Sequence, residues 1–359
     1  MRGFGGFGVE NLPYGVARWG DGRTGCVSAL DDRVIDLAAL AGAGGLHGVP
    51  AEVFDATSLN RFLALGRGAW AGVRSELAGL AAQGDERLAA ASAPMGSVEL
   101  LLPVAVGDFV DFSASLHHAT NMARLLRPDS PPPGDEWKRF PRGFHGRAGS
   151  VVVSGTPFRR PHGPAGVTAA LDIEAELAFV IGAGNRMGEP IPAPAMRDHV
   201  AGVLLLLDWS ARDIQAAEQH PLGPFLSKSF ATSVSPWLVS LDAVDPTAIE
   251  LEVLLQATTV SRPPVSTMYW SIADLLAHAT LNGAPTRPGD LFGCGTVSGP
   301  DEGTQGSLME LTSGGRRRLR LHDGSMRTYL EDGDTVVIRG IAGEVSLGEV
   351  AGRVLPAMT

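Results

Sequence analysis

Residues 171–177 read LDIEAEL, Leu171-Asp172-Ile173-Glu174-Ala175-Glu176-Leu177, and the alternation is strict. Side chains two apart in a strand share a face. Leu171, Ile173, Ala175 and Leu177 therefore point one way and Asp172, Glu174 and Glu176 the other. The apolar side has the spacing of a strand laid on a core. Neighbouring carboxylates repel one another, and taking them out of water is costly unless something compensates the charge. The acidic face is either open to solvent or covered by a cation.

Two further stretches supply acidic residues that suit the second reading. In VLLLLDWSARDIQ (203–215) an apolar strand runs straight into Asp208, and DFVDFSASLHHATN (108–121) carries Asp111 and, seven residues on, His118. A carboxylate at the mouth of an apolar strand needs a cation, a helix N-terminus or a site. Asp111, Glu174, Glu176 and Asp208 together would form an oxygen-only set, which selects hard Mg2+ or Ca2+ over zinc. Spacing alone does not bring them together.

Composition bounds the rest. The chain has 359 residues, 44% hydrophobic and 19% charged, an ordinary globular balance. Its net charge of −10 argues against a nucleic-acid or anionic-membrane surface. No apolar run is long enough to span a bilayer, and MRGFGGFGVENLPYG has no apolar signal core. Cys26 and Cys294 form neither a disulfide framework nor a metal-ligand spacing, which fits a reduced, cytoplasmic compartment. With 46 glycines and 25 prolines spread evenly, the chain reads as a turn-rich, mainly β (α+β) protein.

Along the chain, residues 11–40 read as short strands and turns. Leu59, Phe62, Leu63, Leu65, Trp70, Val73, Leu77 and Leu80 recur at helical spacing behind an N-cap at Thr57 or Ser58, and SVELLLPV (97–104) closes a first domain over 1–105. The second domain, 106–359, carries strand-like SVVVSGTPF, LDIEAELAFVIG, AGVLLLLDW, IELEVLLQATTV and GDTVVIRG. Helices are expected over 210–219 and 271–283, and the proline-rich 127–137 is a surface loop.

The segments DFVDFSASLHHATN, FHGRAGSVVVSGTPFRRP, LDIEAELAFVIG, DWSARDIQAAEQHPLGPFLSKSFATSVSPW and CGTVSGPDEGTQGSLMEL occur in this order, with NLPYGVARW near the start and RTYLEDGDTVVIRG near the end. The whole resembles the fumarylacetoacetase family in its long two-domain form. That resemblance implies a small N-terminal SH3-like barrel, a large mixed-sheet β-roll of the fumarylacetoacetase type, and a homodimer. It implies a divalent metal, Mg2+ or Ca2+, held by Asp111, Glu174, Glu176 and Asp208, with Lys228 and Thr232 nearby; Asp172 matches the motif but not a ligand position.

The implied chemistry is hydrolysis of a carbon–carbon bond in a β-diketo acid such as fumarylacetoacetate. His118 matches the general base, Glu310 the carboxylate that orients it, and Arg212, Gln215 and Lys228 the groups that stabilise developing charge. If 210–219 is helical, Arg212 and Gln215 share a face at i,i+3. Arg127, Ser113, Phe144, Gln219 and Thr296 match substrate-binding positions. Three of these depart from the family pattern, since tyrosine is usual at 113, 144 and 219. Those departures point to retained hydrolysis with an altered acyl pocket. The rival readings are a metal-dependent 2-oxo acid decarboxylase or isomerase on the same fold, and a non-catalytic binding protein.

Overall fold

In the computed structural model, residues 6–126, 129 and 131–358 are described. The acidic motif opens an eleven-residue strand, Leu171–Ile181, buried along its whole length. It pairs antiparallel, end to end, with Val200–Ala211, which is buried throughout as well. The two form the middle of an eight-stranded sheet. Leu291–Gly293, Phe109–Phe112 and Gly143–His145 extend it on one side, Thr232–Val234 and Val151–Val153 on the other, and Val239–Ser240 pairs separately with Val200–Ala211. Phe109–Phe112 runs parallel to Leu291–Gly293, and Val151–Val153 parallel to Thr232–Val234.

The apolar face of the motif packs as its alternation requires. Leu171, Ile173, Leu177 and Phe179, with Leu205, Leu207 and Trp209 of the partner strand, share one core with Leu251, Val253, Ile338, Leu347 and Val350. Those last residues belong to a second, five-stranded sheet in the order Thr258–Ser261, Glu250–Leu255, Thr335–Ala342, Val345–Leu355, Phe158–Arg159.

The opposite face is divided. Beyond Glu176 it turns apolar, and Ala178 and Val180, with Leu204 and Leu206, join a second core with Phe62, Trp70, Val73 and Leu77 from the N-terminal part of the chain. Trp70 lies so close that a Cβ at Gly182 would stand 2.2 Å from its ring. The N-terminal residues build a five-stranded antiparallel sheet in the order Ser92–Pro94, Arg33–Asp36, Thr24–Leu30, Tyr14–Arg18, Glu99–Leu100. The architecture is mixed α+β and mainly sheet.

Several elements differ from the sequence reading. The helical stretch from 58 to 82 is two helices, Asn60–Leu63 and Arg67–Gln83, because Gly66 at φ +85° breaks the run. No Thr57 or Ser58 cap forms; Leu59 holds the cap position, and Leu65 is exposed. The 210–219 helix is Arg212–Glu218, since Ser210 and Ala211 still belong to the strand. The 271–283 helix is Ile272–Thr280, opened by a Ser271–Asp274 capping box. Leu116–Leu126, unassigned from sequence, is a helix and carries His118. Residues 131–136 have no regular structure, whereas Arg127, Pro128 and Ser130 lie outside the described residues. No helix among the described residues is long and apolar enough to cross a membrane.

Trp209 pins the central strand immediately behind Asp208. It is fully buried, its ring lies 4.4 Å from that of Phe158, and its indole N–H donates to Ser233 Oγ at 3.0 Å. Trp209→Ala is expected to lower stability by about 3–5 kcal/mol in urea unfolding, the range for emptying an aromatic core position. A loss below about 1 kcal/mol would contradict this packing role.

Candidate active site and metal centre

Strand register assembles the acidic face. Across the central pair, Asp172 stands opposite Ser210 and Glu174 opposite Asp208, with Thr232 beside Asp208 on the next strand. Asp111 arrives from the other direction, paired with Gly293, which in turn pairs with Ala178. A Cβ at Gly293 would lie 2.4 Å from Asp111 Oδ1 and 3.2 Å from Glu176 Oε2. The glycine leaves the gap through which the two carboxylates approach each other.

The three carboxylates of the motif have different partners. Asp172 accepts from Arg212 Nε at 2.7 Å and from the backbone N–H groups of Ile173, Leu308 and Met309. Glu174 pairs with Lys228 Nζ and Arg212 Nη1, each at 2.7 Å, and lies 3.6 Å from His118 Nε2. Glu176 accepts from Gly295 N at 2.9 Å through one oxygen, while Oε1 is buried without a partner. Lys228 also donates to Asp208 Oδ2 and to Ser210 Oγ, so its three N–H bonds end on protein.

Charge counting separates the site into two halves. Asp172 and Glu174 are balanced by Arg212 and Lys228. Asp111, Glu176 and Asp208 remain, with Lys228 reaching only Asp208, and one oxygen of each of the three lies within 4.8 Å of the others. Asp111 Oδ1, Glu176 Oε1 and Thr232 Oγ1 are buried with no hydrogen-bond partner among the described residues. Burial and mutual repulsion push Asp111 up to about 8, Asp208 to about 6 although Lys228 opposes it, and Glu176 well above its usual range. Clustered, buried, oxygen-only and short of donors, the trio has the donor chemistry to hold a hard divalent cation. Glu174 stands outside the trio. Burial would raise it, but Lys228, Arg212 and His118 hold it well below the usual carboxylate range.

Facing this wall is a second polar group. His118 Nδ1 lies 2.7 Å from Glu310 Oε2, and Nε2 lies 3.2 Å from Thr296 Oγ1. Glu310 is buried, which disfavours its charge, yet His118, Asn121 and Ser307 together lower it below the usual range; Ser298 donates to it as well. An ionised carboxylate accepts only, so Nδ1 carries the hydrogen and the Nε2 lone pair turns to the cavity side. Sequence reasoning missed Asn121, Ser298, Ser307 and Gly293. The i,i+3 spacing of His118 with Asn121, and of Ser307 with Glu310, was the available signal.

Both groups open on one cavity of about 510 Å3. Asp111, Glu174, Lys228, Arg212, Gln215, His118 and Thr296 line its polar end, and Ser113, Phe144 and Gln219 line it too. Arg212 Nη1 donates to Gln215 Oε1 at 3.0 Å, and its Nη2 is buried without a partner. Glu176, Asp208 and Thr232 lie behind the cavity wall, and Arg127 falls outside the described residues.

A carboxylate trio with the donor chemistry of a metal site thus stands beside a cleft that the histidine–glutamate pair faces. Residues 109–355 match the family model described as fumarylacetoacetate (FAA) hydrolase C-terminal, and residues 10–103 that described as fumarylacetoacetase N-terminal. The chain is 38% identical to the fumarylacetoacetase of Arabidopsis thaliana, over 98% of this chain and 96% of that protein. It is also 38% identical to that of Homo sapiens, covering 98% and 97%. Among solved structures it resembles fumarylacetoacetate hydrolase from Exiguobacterium antarcticum, with a TM-score of 0.61 at 17% identity, over 96% of this chain and 99% of that one. Similar in fold is maleylpyruvate hydrolase from Sphingobium sp. SYK-6 in complex with manganese(II) ion and pyruvate, with a TM-score of 0.57 at 19% identity, covering 96% and 100%. The chain belongs to the fumarylacetoacetase family.

The raised carboxyls set a pH dependence. A group shifted up in the folded state contributes stability that is complete below its unfolded value, 3.8 for an aspartate, and is lost as pH rises through the folded one. Glu174 and Glu310, shifted down, act below that window. The metal-free protein should therefore lose thermal stability between about pH 5 and about pH 8, and saturating Mg2+ should recover most of it. Scanning calorimetry with chelator and with Mg2+ reads both; a flat Tm in chelator would contradict the shifts.

Proposed function

We propose that this protein hydrolyses a carbon–carbon bond of a β-diketo acid, fumarylacetoacetate or a relative with a different acyl group, the former giving fumarate and acetoacetate. The observation that carries the reading is the His118–Glu310 pair, held 2.7 Å apart with Nε2 toward the cavity that Asp111 also lines. Family membership supplies the reaction class.

When bound by Asp111, Glu176 and Asp208, with Glu174 as a fourth carboxylate, Mg2+ or Ca2+ supplies positive charge that polarises a diketone oxygen. His118 Nε2 takes a proton from water, and the hydroxide adds to the carbonyl carbon of the acyl group. Glu310 fixes the tautomer and stabilises the imidazolium. The carbon–carbon bond then breaks with its electron pair on the leaving fragment, and His118 returns the proton to that carbon. Arg212 and Gln215, which both line the cavity, donate to oxygens that gain charge. Lys228, its donors spent on Glu174, Asp208 and Ser210, offsets carboxylate charge beside Thr232. Thr296 holds Nε2 and Arg127 receives a substrate carboxylate. Water activation favours hydrolysis over decarboxylation or isomerisation.

Ser113, Phe144 and Gln219 shape the acyl end, where Met122, Leu126 and Trp137 add apolar wall. A less polar acyl group than fumaryl suits that wall. The remaining features of the proposal are a domain boundary near 105, between the family matches that end at 103 and resume at 109, and an SH3-like N-terminal barrel, supported by its short antiparallel strands around Ala17, Val27, Ala29 and Val34. A homodimer would cover exposed Leu222 and Phe225. Two buried free cysteines fit a cytoplasmic setting.

Product analysis of fumarylacetoacetate with protein and Mg2+ tests the reading. Release of fumarate and acetoacetate, abolished by chelator and lowered about 10²–10⁴-fold in kcat by His118→Ala, is the expected result. Release of CO2, or turnover indifferent to His118, would overturn it.

A further inference from the structure

Asp172 takes no part in the chemical steps described above, yet it is among the most heavily hydrogen-bonded carboxylates of the cleft. It is fully buried on the central strand. Oδ1 accepts from Ile173 N at 2.7 Å and Leu308 N at 2.8 Å; Oδ2 accepts from Arg212 Nε at 2.7 Å and Met309 N at 3.2 Å. Leu308 and Met309 open the short helix Leu308–Leu311, whose third residue is Glu310. Arg212 is the first residue of Arg212–Glu218. One side chain thus ties the strand of Glu174 and Glu176 to the two elements that carry Arg212 and Glu310.

We propose that Asp172 is a positioning residue: it locks the guanidinium of Arg212 in the cavity wall, and fixes the backbone that aims Glu310 at His118. The inference rests on the proposed function for the meaning of those two aims, not for the contacts. Arg212 Nε is held by Asp172 and Nη1 by Glu174 and Gln215, which leaves Nη2 buried and without a partner among the described residues. A guanidinium is planar, so fixing two of its nitrogens fixes the third. Asparagine at 172 would keep the volume and could still accept from Leu308, but its NH2 group would confront Arg212 Nε–H or Met309 N–H, donor against donor. A misplacement of an orienting group by about 1 Å costs on the order of 100-fold in rate.

Two measurements test this. In the unmodified protein, the Arg212 Nε–H resonance should exchange with solvent slowly and shift when acetoacetate is added; rapid exchange would overturn the inference whatever the protein's activity. In the Mg2+-loaded enzyme, Asp172→Asn should lower kcat about 10–100-fold with KM changed less than about 3-fold, and should add little to the loss already caused by Arg212→Lys. A merely structural role would lower Tm and leave kcat per folded, metal-loaded molecule unchanged, and that result would overturn the inference. Absence of fumarylacetoacetate turnover by the unmodified enzyme would sink the proposed function alone, because the exchange measurement would still decide for or against Asp172.

Discussion

Burying carboxylates on one strand face is the constraint from which the rest of the cleft follows. Asp172, Glu174 and Glu176 are each less than a tenth exposed, and register brings Asp208 alongside Glu174. Uncompensated charge in such a place either binds protons or recruits cations. This chain does both by position. At the Asp172–Glu174 end, Arg212 and Lys228 close the charge balance with protein groups. At the Glu176 end Asp111, Glu176 and Asp208 converge, and Lys228 pairs with Asp208 alone of the three.

The division also explains how the strand serves two cores. Its odd positions lie against the five-stranded sheet, and its even positions turn apolar after Glu176 to seat the N-terminal helices. The charged stretch is left beside the N-terminal core on the even face, where Glu174 faces His118 and Thr296 across the cavity. Rigid strands on both sides suit a site whose groups must be held to within a fraction of an ångström.

Much of this was legible in the sequence because strands encode their faces with a period of two. LDIEAEL gave the acidic face directly, and VLLLLD gave the buried strand ending at Asp208. The resemblance to a known family brought in His118, Arg212 and Gln215, which line one cavity, and Glu310, which pairs with His118. What could not be read were relations between distant segments. Nothing local in LDIEAEL says that Asp172 will meet Leu308 N, or that Glu174 will pair with Lys228 and Arg212. Gly293 has meaning only once Asp111 lies beside it. The Leu116–Leu126 helix was not recognised from SASLHHATN; only His118 and Ala123 of that helix are buried, since its inner face lines the open cavity. Leu65 and the break at Gly66 show the converse, a helical periodicity interrupted by one left-handed glycine.

The central claim is that the unbalanced half of the acidic face holds one divalent cation. Anomalous diffraction from crystals soaked in Mn2+, a hard ion close in chemistry to Mg2+, tests it most directly. The account predicts a single strong peak within about 2.0–2.6 Å of oxygens from Asp111, Glu176 and Asp208. A well-ordered cleft with no peak there, or with manganese bound only on the Asp172 side of Glu174, would contradict it.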